Sequence, residues 1–257
     1  MSKRILILGG GIAGTATAWF LARLGASDVC LIEKEEQLGS QATAQNASIL
    51  RTWTPDPVTC AMAVEGARFL TSPPAGFSDR PLVDHRGLIV SGSRDLDNVS
   101  NSYALCDGPA PDVRLLTPSE FGERAPHFAS LENLGDSAGM LFPNEGTLDV
   151  PAVVQAFREG ARAAGVRILP GKKVTGWIGE TGRVTGVQLL HGERVEADAV
   201  VLAAGAWAAE LGRLAGSSVP LRPTRRHIVI ARSAPHAPRI PSKAPIVWSD
   251  GARFYAR

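Results

Sequence analysis

Residues 4–33, RILILGGGIAGTATAWFLARLGASDVCLIE, decide how the rest of the chain is read. Ile5 to Leu8 form an unbroken apolar run, the pattern of a parallel strand covered on both faces rather than one with a wet side. The run ends at Gly9, and Gly9, Gly11 and Gly14 keep G-x-G-x-x-G spacing. Each glycine answers its own steric demand: a tight turn, close approach of backbone to a pyrophosphate, and close packing of helix on strand. Ile12 to Leu24 then reads as a helix that stops at Gly25. Its first turn, with Ile12 and Ala13, carries unpaired N–H groups and the positive end of the helix dipole, which hold an anion without Lys or Arg.

A second apolar run, Val29 to Ile32, closes on Glu33, nineteen positions after Gly14. A carboxylate there accepts hydrogen bonds from ribose hydroxyls and repels a 2′-phosphate, so FAD or NAD is expected rather than NADP. Strand, turn, helix and spaced acid agree with one another, which a lone glycine motif cannot do.

Working outward, 257 residues with 44% hydrophobic and 20% charged side chains give room for one large or two modest globular domains. The net charge of +2, with no basic cluster interleaved with aromatics, gives no reason to expect a nucleic-acid partner. Cys30, Cys60 and Cys106 are odd in number and far apart, which suits reduced packing residues. Met1 to Arg4 lead directly into the first strand, and no uncharged apolar stretch reaches spanning length, so a cytoplasmic protein is expected. His127, His191, His227 and His236 are scattered without ligand spacing, so no metal is expected.

Residues 34–49 are small and polar, with Gly39, Ser40, Thr43, Gln45 and Asn46 close together, and read either as a solvated loop or as a second lobe of the cofactor site. From Arg51 to Glu145 prolines and short apolar runs dominate, with a helical stretch near Val58 to Leu70 and a strand at Gly87 to Val90. This texture predicts an inserted domain with an antiparallel sheet. Asp84, His85 and Arg86 read as turn chemistry ahead of that strand. The first fold resumes near Thr147, where Asp149 and Pro151 open a helix to about Ala164, Gly165 stops it, and Arg167 to Leu169 form a strand. Val174 to Ile178, the Thr181-Gly182 turn, Val184 to Leu190 and the His191-Gly192 turn predict a three-stranded antiparallel excursion. Ala199 to Ala204 read as another buried strand, and Gly205, Ala206 and Trp207 lead into a short helix.

Taken together these segments resemble the FAD-dependent oxidoreductases of the D-amino acid oxidase, glycine oxidase and sarcosine oxidase family. The resemblance is carried by Gly9, Gly11, Gly14 and Glu33, by residues 39–47, by Gly146-Thr147-Leu148-Asp149, by Val174, by residues 203–207 and by Pro220-Leu221-Arg222-Pro223. It implies an α/β fold: a Rossmann-like FAD/NAD(P)-binding domain built from residues 1–50 and 146–222, beside a mixed or antiparallel α+β substrate domain from 51–145 and 223–257. It also implies non-covalent FAD, since no His in the 39–50 loop matches a covalent attachment. Lys34, Ser40 and Thr43 would join Glu33 around the ribose and pyrophosphate, with Gln45 and Asn46 near the flavin ring. Val174 would meet the adenine by its backbone, while Ala204, Gly205 and Trp207 would line the same cofactor. Tyr255, close to the family's roof-strand aromatics, is the candidate catalytic residue, with packing in a sheet as its other reading.

The implied chemistry is oxidation of the CH–NH bond of an amino acid or secondary amine, with electrons passed to oxygen or another acceptor. Branches of the superfamily that oxidise 2-hydroxy acids or glycerol phosphate stay open, as does a dinucleotide-binding protein without catalysis. Family members continue beyond the point matching Arg257, in a portion that carries the arginine gripping the substrate carboxylate and a glycine-rich helix start. Residues 251–257 resemble the start of a roof strand, so the sequence is expected to be the N-terminal portion of such an enzyme.

Overall fold

The computed structural model describes residues 3–91, 96–128, 139–180, 182–231, 236, 240–249 and 254–257. Thr181 and residues 251–253, named above in a turn and a strand start, lie outside them. In chain order the elements are β1 (Arg4–Leu8), α1 (Ile12–Arg23), β2 (Asp28–Ile32), β3 (Ile49–Leu50), α2 (Pro57–Thr71), β4 (Val83–His85), β5 (Leu88–Ser91) and α3 (Leu96–Ser102). Then follow β6 (Arg114–Leu115), α4 (Pro118–Arg124), β7 (Gly139–Phe142), β8 (Gly146–Leu148), α5 (Val150–Ala163), β9 (Arg167–Leu169) and β10 (Val174–Glu180). The chain ends with β11 (Arg183–Leu189), β12 (Arg194–Glu196), β13 (Ala199–Leu202), α6 (Ala208–Leu214), β14 (Ile246–Ser249) and β15 (Phe254–Ala256). Two compact units result, residues 1–46 with 150–227 and residues 47–149 with 228–257.

In the first unit a four-stranded sheet runs β13-β1-β2-β9, parallel throughout. Leu6, Leu8, Cys30 and Ile32 on one face pack against Val187 and Leu189 of the antiparallel β10-β11-β12 sheet. Alternation turns Ile7 and Leu31 to the opposite face, and both are fully buried. With both faces covered, neither strand has a solvent side, which is why Ile5 to Leu8 and Val29 to Ile32 show no polar alternation. Helices α1 and α5 pack together where Gly160 lets the Trp19 indole approach, and Trp19 meets Phe157 edge to face at 5.8 Å. Gly25 and Gly165 take positive φ of 90° and 89° just past these two helices, the stop that L side chains resist.

The second unit holds a five-stranded sheet, β15-β14-β5-β7-β6, and a small antiparallel sheet, β3-β8-β4. The larger sheet is mixed, as the family resemblance implies and the texture of residues 51–145 alone does not, because β14 pairs with β5 in parallel. That pair joins strands far apart in sequence, so no local turn signal marks it. Residues 83–85 form β4, paired with β8, and so are not only the turn expected there. The Asp84 carboxylate binds the Arg86 guanidinium, and His85 Nδ1 sits 2.6 Å from the Asn144 carbonyl. One face of the large sheet packs Leu88, Val90, Met140, Phe142 and Ile246 with Cys60 and Val64 of α2 and with Val99 and Tyr103. The other packs Ile89, Leu141 and Val247 with Leu116, Phe121 and Ala125. Helix α4 opens with a capping box: Thr117 accepts from the Glu120 amide while Glu120 accepts from the Thr117 amide. No helix among the described residues is long and apolar enough to cross a membrane.

Candidate dinucleotide site

The glycine turn is closed by sterics. Gly9 has φ +113°, and a methyl group on it would overlap the Ala203 carbonyl, just past the end of β13. A methyl on Gly14 would overlap the Gly9 carbonyl, so the start of α1 lies directly on the turn. Gly11 differs: the one neighbour near an added carbon is the Thr43 hydroxyl at 3.1 Å, and the space around it is otherwise open. Gly11 is the N-cap of α1 and gives no side-chain cap, and the first turn has no acidic residue. Ile12 and Ala13 are exposed there. The Thr15 amide is the first to bond within the helix, to Gly11, which leaves the amides before it for other partners.

Thr43 takes one of them. Its Oγ1 accepts from the Ile12 N–H at 3.1 Å, using a lone pair and leaving the hydroxyl proton free for an anion at the same place. Residues 39–46 are brought there by a helical turn in which the Ala44 and Gln45 amides donate to the Gln41 carbonyl. Gly39, at φ +74°, rests against Val154 of α5. Gln45 Nε2 donates to the Ser40 carbonyl at 3.4 Å, and the Asn46 amide to the Thr43 carbonyl. Thus Ser40, Thr43, Gln45 and Asn46 belong to one hydrogen-bonded lobe in which Gln45 and Asn46 are exposed.

Glu33 is buried at 9% exposure. Its Oε2 accepts from the Gly10 N–H at 2.6 Å and its Oε1 from the Glu35 N–H at 2.9 Å. Both oxygens are thereby aimed by backbone, each keeping acceptor capacity for a ribose hydroxyl. Glu35, which sequence reasoning passed over, accepts from Gln41 Nε2 at 2.8 Å and so ties the 39–46 lobe to the end of β2. Lys34 and Trp207, 173 positions apart, meet with Nζ 3.3 Å from the indole centroid. Trp207 follows Ala204 and Gly205 in a tight turn whose Trp207 N–H donates to the Ala204 carbonyl at 2.9 Å, with Gly205 at φ +50°. Val174 begins β10, half-buried, opposite Leu189. Gly9, Gly11, Ile12, Ala13, Gly14, Glu33, Lys34, Ser40, Thr43, Gln45, Asn46, Val174, Ala204, Gly205 and Trp207 all fall within the first unit.

Tyr255 lies in the second unit, on the edge strand β15. It is 40% exposed, and its ring stacks on Trp248 with centroids 4.9 Å apart. The Arg51 guanidinium lies 4.3 Å from the Trp248 centroid and 5.2 Å from that of Trp53. Nearby in sequence, Thr52 donates from its N–H at 2.6 Å and from its hydroxyl to Oε1 of Glu145. Glu145 is 2% exposed, its Oε2 has no partner, and burial pushes its carboxyl up to about 6. Sequence reasoning missed it, since Asn144-Glu145-Gly146 reads as an ordinary polar turn.

A fully parallel sheet, a glycine turn that excludes side chains and a carboxylate fixed beside it define a dinucleotide-binding α/β protein. The family model described as FAD dependent oxidoreductase matches residues 4–257, and the chain belongs to that family, whose cofactor is FAD. Human mitochondrial sarcosine dehydrogenase is 30% identical over 237 residues, covering 86% of this chain and 24% of that protein. Glycine oxidase of Pseudomonas putida is 29% identical over 244 residues, covering 91% of this chain and 64% of the enzyme. The chain thus spans about a quarter of the first relative and under two thirds of the second. Among solved structures, L-proline dehydrogenase from P. horikoshii is similar with a TM-score of 0.69 at 25% identity, over 84% of this chain and 56% of that one. Glycine oxidase from Geobacillus kaustophilus, at 22% identity, shares the fold with a TM-score of 0.71 over 97% of this chain and 66% of that one.

Proposed function

We propose that the unit of residues 1–46 and 150–227 holds FAD non-covalently, and that the protein oxidises the CH–NH bond of an amino acid or secondary amine. The observation that carries this reading is the glycine turn at the start of α1, packed so closely that Gly9 and Gly14 have no room for a methyl group, within a family match running from residue 4 to 257. The turn fits a pyrophosphate: the backbone amides of Ala13 and Gly14, the Thr43 hydroxyl held by the Ile12 amide, and Ser40 would receive it, with no carboxylate in the first helical turn to repel it. Glu33 and Lys34 would receive the ribose, and the backbone of Val174 the adenine. Gln45, Asn46, Ala204, Gly205 and Trp207 would complete the contacts.

When bound, FAD supplies the acceptor for the hydride leaving the carbon that bears the amine, and electrons pass on to oxygen or another acceptor. The residues of this chain position rather than react. Prefixed amides cost no reorganisation when the anion arrives, and the Glu33 carboxylate is already aimed by Gly10 and Glu35. In this reading residues 47–149 with 228–257 are the substrate side, with Tyr255 a candidate contact. The sarcosine, glycine and proline enzymes among the relatives all act on small amino acids, which favours an amine over a 2-hydroxy acid.

An absorption spectrum of the purified protein, followed by anaerobic titration, tests it. Oxidised-flavin bands that bleach with an N-methylated glycine or another amino acid are expected. Bands that bleach only with 2-hydroxy acids would replace the substrate class, and a colourless protein that retains NAD would overturn the cofactor.

A further inference from the structure

The second unit holds two thiols that the flavin reading does not use. Cys60, Val64 and Arg68 stand four apart on α2 and form one stripe along the helix. That stripe faces the segment that follows α3. Cys60 and Val64 share a buried cluster with Val99 and Tyr103, and Cys106 packs against it. Further along, Arg68 Nη2 donates to the Pro109 carbonyl at 3.1 Å. The Cys106 N–H donates to the Tyr103 carbonyl at 3.0 Å, which turns residue 106 back toward the helix. Cys106 thus packs at the cluster that holds Cys60, close enough for its thiol to raise that of Cys60.

The two sulfurs are unequal in access. Cys60 is fully buried and its S–H donates to the Thr52 carbonyl at 3.4 Å, whereas Cys106 is half-buried at the outer end of the cluster. Burial raises the Cys60 thiol and keeps it protonated. A small oxidant therefore meets Cys106 first, and the resolving thiol is already beside it. Cys30, buried between strands of the other unit, has no such neighbour among the described residues.

We infer that Cys60 and Cys106 are a peroxide-responsive pair, with Cys106 the attacked thiol and Cys60 the resolving one, joined as a disulfide that staples α2 to the segment after α3. In the first step the Cys106 sulfur, as thiolate, attacks one oxygen of hydrogen peroxide. An S–O bond forms, the O–O bond breaks, and the leaving hydroxide takes up the thiol proton as water. In the second the Cys60 sulfur attacks the Cys106 sulfur, the S–S bond forms, the S–O bond breaks, and hydroxide leaves with the Cys60 proton as a second water. Two thiols are oxidised by two electrons and one peroxide is reduced to two waters. The inference is independent of the flavin reading. Its structural consequence is the loss of the Cys60 bond to the Thr52 carbonyl, in exchange for a covalent closure of the chain between residues 60 and 106.

Peptide mapping decides it. The folded protein is treated with hydrogen peroxide, denatured with N-ethylmaleimide present, and digested without reductant. The expected result is a linked pair of peptides containing Cys60 and Cys106, two hydrogens lighter than their sum and separated by dithiothreitol, with Cys30 still alkylated. In Cys60→Ser the linked pair is expected to disappear and dimedone to label Cys106 instead. The same linkage is expected to lose its preference over pairs with Cys30 when peroxide is added in urea. Recovery of Cys60 and Cys106 both alkylated, conversion of Cys106 to sulfinic acid with Cys60 still alkylated, or pairing with Cys30 in the folded protein would each overturn the inference. Should Cys60→Ser fail to fold, the wild-type map still answers the question.

Discussion

The glycine turn of the first unit and the Glu145 cluster of the second both leave polar groups unpaired, the former exposed to solvent and the latter buried. At the turn the spare groups are backbone amides at an exposed helix start, cheap to leave in water and ready for an anion. At Glu145 the spare group is a carboxylate oxygen sealed from water, and Nε1 of Trp53 in the same unit is likewise unpartnered. The first arrangement costs little until a ligand arrives. The second costs stability all the time, and burial at that position shows in the raised carboxyl. Open polar groups thus mark a site for binding, whereas sealed ones mark a place where the fold itself is under load.

Within the turn, Gly14 and Gly11 are expected to respond differently to the same added methyl group. Gly14→Ala sets a methyl group on the Gly9 carbonyl, backbone against backbone, where nothing flexible can yield. About 3 kcal/mol of stability or more is expected to be lost, read as a fall in the urea midpoint. Gly11→Ala meets only the Thr43 hydroxyl, so its fold is expected to survive while flavin occupancy after dialysis falls. Equal unfolding midpoints for the two variants would mean that the turn is not closed on itself as described.

Glu33 comes next. Removing its carboxylate in Glu33→Ala strips partners from the Gly10 and Glu35 amides as well as from the ribose, so FAD binding is expected to weaken by about 1–3 kcal/mol. Glu33→Gln, which retains one acceptor oxygen, is expected to lose less. Flavin occupancy identical to wild type in both variants would remove Glu33 from the cofactor site.

How much of this could be read in advance follows the range of the interactions. The first unit's strand, turn, helix and acid lie within thirty residues, and local chemistry spells each of them: apolar runs, glycine spacing, Gly25. Even the positive φ values past α1 and α5 follow from residue type. The meeting of Lys34 with Trp207 was not legible, although both residues were singled out, because nothing local encodes a contact across 173 positions. The same holds for the parallel pairing of β14 with β5, and for Glu145, whose partner Thr52 is 93 residues away. Helix α4 is a different kind of miss: Thr117-Pro118-Ser119-Glu120 carries a capping-box pattern in plain view. There the local signal is present, set among prolines that by themselves read as turns.

Glu145 supplies a prediction of intermediate size with a definite pH window. Its folded carboxyl is raised from 4.5 to about 6, so the ionised form is the disfavoured one. Stability tied to the neutral form is fully present below pH 4.5 and is lost as pH rises through about 6. The rise corresponds to about 2 kcal/mol. Glu145→Gln keeps an acceptor for Thr52 and cannot ionise. Its stability relative to wild type, from urea unfolding, is therefore expected to improve by about 2 kcal/mol between pH 4.5 and pH 7.5. Its amide N–H adds a constant cost at every pH, so the change across the window is the readout. A difference that stays flat with pH would show that the buried oxygen is not strained.

Tyr255→Phe is the smallest step and separates the two units most cleanly. The ring that stacks on Trp248 is kept, and the edge strand loses only a hydroxyl on a residue already 40% exposed. Stability is therefore expected to stay within about 0.5 kcal/mol of wild type, as for other exposed substitutions. Flavin content is expected to be unchanged, because every proposed FAD contact belongs to residues 1–46 and 150–227. If Tyr255 meets substrate, the effect appears only in the rate of anaerobic flavin bleaching by an amino acid, or in the concentration that half-saturates it. A fall in flavin content would move Tyr255 to the cofactor, a fall in stability would make it a packing residue, and wild-type bleaching would leave its hydroxyl without a role in the reaction.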